Sequence, residues 1–130
     1  MNNVYANELY KAARAVKYKG MTKQTTIPVL SHARLDVRDG RAQLVTVNLD
    51  DFEHPLHAEA RARTMEPFQT CVPLKPFKDW LYATGDDLLD IQYQAPIATL
   101  FVKAGNTRAQ FKCLDAQEFP AVDSRIPSEP

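Results

Sequence analysis

The hydrophobic pattern of this chain changes period in the same order twice, and that repetition restricts the available folds more than any single motif does. Leu9, Ala12, Ala13 and Val16 recur at helical spacing, with Asn7 placed to cap the helix and Gly20 to end it; Lys11, Arg14 and Tyr18 point the other way. Beyond Pro28 the period drops to two. Ala33, Leu35 and Val37 alternate with Arg34, Asp36 and Arg38, and Asp39-Gly40 turns the chain into Ala42, Leu44 and Thr46, a hairpin expected to bury one face. A third strand starts near His54 and Pro55 and carries Leu56, Ala58, Ala60 and Ala62 on one side.

From residue 66 the order begins again. Phe68 to Val72 reads as a short strand, followed by a helix opened by Pro73 and Pro76 and closed by Gly85. Phe77, Trp80, Leu81 and Thr84 share one side of that helix, and Lys75, Lys78 and Tyr82 the other. Leu89, Ile91 and Tyr93 then mark a strand, Ala98 to Lys103 a second, and Gly105-Asn106 turns into a third over Thr107 to Cys113. Residues do not repeat, only the pattern does. It predicts an α+β fold of two βαβββ halves, with two helices packed on one side of an antiparallel curved sheet and related by an approximate two-fold axis.

A length of 130 residues suits one domain with a substantial core. Residues 1–122 are expected to form it, and 123–130, with two prolines and little apolar content, to be a tail or linker. Hydrophobic residues at 45% and charged residues at 25% argue against disorder. No basic segment leads into an apolar run at the start and no stretch is long enough to cross a bilayer, so no membrane partner is expected and a cytoplasmic location is. Cys71 and Cys113 lie in strand-like segments, where buried free thiols are the simpler reading.

The chemistry-bearing residues argue against an enzyme. His54 and His57 are three apart in a strand and so face opposite ways, which defeats a shared metal ion. Asp50-Asp51 and Asp86-Asp87 fit turns, with no third ligand at a suitable spacing for magnesium. Four scattered glycines make no phosphate loop, and no Ser or Cys sits in a nucleophile motif. No cofactor is expected. Phe77, Trp80 and Phe119 are read as core rather than as a base-stacking platform.

The formal net charge is zero, but charge is segregated: residues 1–24 hold Lys11, Arg14, Lys17, Lys19 and Lys23 against the single acid Glu8. If the apolar sides of both helices meet the sheet, Lys11, Arg14 and Lys17 share an outer surface with Lys75 and Lys78. That arrangement is either an ordinary solvated face or a patch for phosphates.

TTIPVL at residues 25–30, Asn48-Leu49-Asp50, Val72-Pro73 at the mouth of a helix and Glu118-Phe119-Pro120, in that order and at those separations, resemble the first domain of bacterial DNA sliding clamps, the β subunit of the replicative polymerase. The resemblance runs from Val4 to Val122. The family often has Asp where Asn48 stands, and its members join three such domains in one subunit. The resemblance implies a DNA-clamp fold whose helices line a hole for duplex DNA, with sequence-independent phosphate contacts from Lys11, Arg14, Lys17, Lys75 and Lys78. Lys23 and Gln24 occupy the loop where the family carries a basic residue directed at DNA, although an amide stands where arginine is expected.

It also implies partners: duplex DNA, further copies of this chain or other clamp domains, a polymerase and a clamp loader. Three readings stay open at this point. The chain is a single-domain clamp relative that closes a ring from several copies, or the first domain of a three-domain subunit, or a replication-associated interaction or regulatory module that does not encircle DNA.

Overall fold

The computed structural model describes residues 2–17, 31–47, 55–85 and 87–119. The TTIPVL and Asn48-Leu49-Asp50 segments, Pro120, Tyr18, Lys19, Gly20, Lys23, Gln24, Asp51, His54, Asp86 and the tail 123–130 lie outside the described residues. The elements follow the doubled order. Strand β1 (Asn2–Tyr5), helix α1 (Ala6–Ala15) and strands β2 (His32–Arg38), β3 (Arg41–Thr46) and β4 (Leu56–Arg63) form the first half. Strand β5 (Phe68–Pro73), helix α2 (Leu74–Thr84) and strands β6 (Leu88–Gln94), β7 (Thr99–Ala104) and β8 (Thr107–Lys112) form the second.

The eight strands make one antiparallel sheet in the order β5-β2-β3-β4-β1-β6-β7-β8. Each half gives its first strand to the other half: β1 pairs with β6, and β5 with β2. Exchanging the halves maps this order onto itself if β8 meets β5. In place of a β8–β5 ladder there is a single bridge between Cys71 of β5 and Leu114, just past β8, which leaves the curved sheet nearly closed. The corresponding seam in the first half, β1 against β4, is also short, with Asn3 opposite Arg63 and Val4 opposite Ala62.

Local chemistry explains most element ends. Asp39 and Gly40 have φ of 52° and 79°, the paired positive values of a two-residue hairpin turn. Gly85 ends α2 at φ 72°. Three expectations are corrected. Asn7 does not cap α1: β1 runs straight into the helix, Tyr5 is the cap residue without a side-chain bond, and the Ala6 N–H instead donates to the Asp87 carbonyl at 2.9 Å. The helix stops at Ala15, well short of Gly20, with Val16 as its C-cap and the Thr46 hydroxyl donating to the Val16 carbonyl. Ala98 lies outside β7, held at φ 48° after the 3₁₀ turn Ala95–Ile97.

The core lies between helices and sheet. Leu9, Ala12 and Ala13 of α1 and Leu74, Phe77 and Leu81 of α2 meet Leu35, Leu44, Leu89, Ile91 and Leu100. Phe77 and Phe111 pack edge to face at 5.4 Å, and Trp80 joins them at 6.4 Å, so these rings are committed to packing.

The hairpin β2–β3 is buried on both faces, contrary to its alternating pattern. Its outer side is covered by the segment after β8, which places Leu114 and Phe119 against Val45, Val47 and Cys71. Under that cover Arg34 pairs with Asp36 at 3.3 Å and lies 5.5 Å from the Phe119 ring centroid. Polar residues at outward positions are therefore no guide to exposure here. Asn2 ties the halves together: its amide oxygen accepts from the Met65 and Glu66 N–H groups at 2.7 and 2.9 Å, and its amide nitrogen donates to the Glu66 carbonyl at 2.8 Å.

Candidate nucleic-acid interface

Two contacts fix how the helices lie. The Tyr10 ring of α1 meets the Tyr82 ring near the end of α2, with centroids 5.4 Å apart. Just past the C-terminal end of α1, Lys17 lines a cavity of about 120 Å³ together with Ser31 and with Pro73, Leu74, Lys75, Pro76 and Lys78 around the start of α2. The helices are therefore neighbours running in opposite directions. Of the expected site residues, Lys17, Lys75 and Lys78 are brought together directly, and Lys11 and Arg14 stand exposed on the adjoining helix. Lys23 and Gln24 lie outside the described residues.

The two helices carry their charge differently. On α1, Glu8 turns toward β4, where its carboxylate accepts from the Arg61 backbone N–H at 3.2 Å and from Arg61 Nη2 at 2.7 Å. The Arg61 side-chain hydrogen bond, helped by the backbone bond, holds the Glu8 carboxyl below the ordinary carboxylate range. Among the described residues no ion pair joins Lys11, Arg14 or Lys17 to a carboxylate. The Arg14 guanidinium instead lies 5.9 Å from the Tyr10 ring centroid.

On α2, both lysines share one acid that the sequence pattern alone did not bring forward. Asp79 Oδ2 is 2.9 Å from Lys75 Nζ, and Asp79 Oδ1 is 3.7 Å from Lys78 Nζ. The Lys75 hydrogen bond lowers the Asp79 pKa. A signal does exist, because Lys75 and Asp79 are four apart on a helix, the spacing at which opposite charges meet. Lys78 also departs from expectation. Its side chain is only 17% exposed, so its stem lies along the molecule rather than free in solvent.

Cys71 and Cys113 are free and buried in separate apolar clusters. Burial pushes the Cys71 thiol up to about 12 and raises Cys113 as well, so neither is a nucleophile near neutral pH. Among the described residues no group of His, Cys, Asp and Glu could hold a metal ion, and no helix is long and apolar enough to cross a membrane.

Two antiparallel helices on a nearly closed antiparallel sheet of two βαβββ halves define a DNA-clamp domain. Solved structures similar to it include bacterial DNA polymerase III β subunits, the sliding clamps. The β subunit from Pseudomonas aeruginosa matches at 28% identity and a TM-score of 0.80 over 95% of this chain and 33% of its own. The sliding clamp from Caulobacter crescentus matches at 22% and 0.83 over 97% of this chain and 34% of its own. The β subunit from Thermotoga maritima matches at 19% and 0.76 over 95% of this chain and 33% of its own. This chain thus spans about a third of each of those proteins. No family model and no curated protein matches its sequence.

Proposed function

We propose that this chain is a sliding-clamp-type DNA-binding domain that contributes to a ring around duplex DNA and supports polymerase processivity. The observation that carries the reading is the antiparallel helix pair, which gathers Lys17, Lys75 and Lys78 around one cavity and leaves Lys11 and Arg14 exposed beside it. Lys23 and Gln24 add weaker phosphate contacts in this reading. Contacts go to phosphate oxygens and leave base edges unread, as a protein that slides over any sequence requires. Residues 1–122 act as the clamp unit and 123–130 as a tail or linker. The ring is completed by further clamp domains, supplied by other copies or by a longer chain, and polymerase and loader act on the assembled ring.

The test is DNA binding across a salt series. Replacing Lys11, Arg14, Lys75 and Lys78 with Ala should flatten the slope of log affinity against log salt by roughly 0.9 for each phosphate no longer neutralised. An unchanged slope removes these residues from the interface. Retention on circular but not linear duplex, together with a ring-sized mass by native mass spectrometry, supports encirclement; equal release from both DNA forms reduces the function to surface binding.

A further inference from the structure

We propose that Asp79 sets the DNA affinity of the helix surface: its carboxylate occupies Lys75 and Lys78 as an internal stand-in for a phosphate, and DNA reaches these lysines by displacing it. This rests on the reading of the helix pair as the DNA-facing side. One Asp79 oxygen is directed to each lysine, the arrangement in which a bridging phosphodiester would present its two free oxygens. The pair is open to exchange, because the Asp79 and Lys75 side chains are 54% and 62% exposed and ion pairs in that setting are weak. Lys78, sheltered along its side chain, also lines the cavity that Lys17 and Ser31 share.

The other helix shows what the surface is like without such an acid. Lys11 and Asp79 each stand six residues beyond their helix's N-cap, Tyr5 and Pro73, so the pseudo-two-fold puts a cation on α1 where α2 has a carboxylate. The only acid of α1, Glu8, is held by Arg61 of β4. Positive charge on α1 is thus standing and that on α2 is latent. A phosphate arriving at α2 replaces one anion with another, so binding and release there both come at little net cost. Weak, exchangeable pairing of that kind suits a protein that must move along DNA.

The experiment uses the full chain and a mixed-sequence duplex followed by fluorescence anisotropy over a salt series. Asp79→Asn should tighten binding roughly three- to tenfold near 0.1 M salt and steepen the salt slope by about 0.9 per lysine released. Asp79→Glu, which keeps the acid, should behave as the parent does. In a Lys75→Ala, Lys78→Ala background the Asp79→Asn gain should vanish; a gain that persists there comes from net charge alone and overturns the proposal. Parent binding that depends on Lys11 and Arg14, with Asp79→Asn unchanged, overturns the role of Asp79 and leaves the helix surface standing. Absence of salt-dependent binding from both the parent and Asp79→Asn overturns the two together.

Discussion

The two halves share a backbone plan and differ in nearly everything laid on it. Helix α1 meets the sheet through small residues, Ala6, Ala12 and Ala13 around Leu9, whereas α2 uses Leu74, Phe77 and Leu81. The outer face of β2 and β3 is roofed by the chain's own Leu114 and Phe119. On β6, β7 and β8 the outward Gln92, Lys103, Arg108 and Gln110 are exposed. One acid leaves the helix surface of the first half, and another stays on that of the second. The difference teaches that a two-fold plan needs only the periods of burial to repeat; charge and side-chain volume are free to diverge.

Substitutions matched across the halves break or sharpen this contrast. Phe77→Ala should cost about 3–5 kcal/mol, because a large buried ring leaves a cavity, while Ala13→Gly on α1 should cost about 1 kcal/mol, mainly through helix propensity; urea unfolding gives both. Comparable costs would mean that the helices carry similar shares of the core. Asp36→Ala strands the Arg34 guanidinium under the roof and should cost about 3–5 kcal/mol. Arg108→Ala on the open face of the other half should stay within about 0.5 kcal/mol. Asn2→Ala frees the joint between the halves by leaving the Met65 and Glu66 N–H groups without their acceptor, at about 1–3 kcal/mol.

The smallest effect is in acid. Glu8 titrates lower in the folded chain than its ordinary unfolded value. Its tie to Arg61 therefore contributes fully above that value and is lost as pH falls through the lowered folded pKa. Urea midpoints followed from neutral pH into acid should decline less steeply for Glu8→Gln than for the parent, and an identical decline would separate Glu8 from the acid response.

The doubled order of elements was legible because burial on one side leaves a period in the sequence: Leu9, Ala12 and Ala13 for one helix, Leu89 and Ile91 for a strand. The Asp39-Gly40 turn was legible for a different reason, since its positive φ values suit Gly and Asp. What escaped was set by distant chain. Arg34 looks like a solvent-facing residue until Phe119, far along the sequence, comes to lie over it. Asn2 looks like a polar end residue until residues 65 and 66 arrive at its amide. At the interface the cations were legible by type and helical face. Their counterions depend on which carboxylates the fold leaves on that face, so Asp79, although at helical spacing from Lys75, and the diversion of Glu8 to Arg61 emerged only from the fold.

The single bridge between Cys71 and Leu114 has a consequence for how the molecule breathes. Elsewhere neighbouring strands are held by longer ladders, six residue pairs between β2 and β5, for example. A line stitched at one point should part first on warming, and when it does the Phe119 lid lifts from Cys71. The thiol, silent while the seam holds, then becomes a stopwatch: its alkylation rate reports how often this side of the molecule unzips.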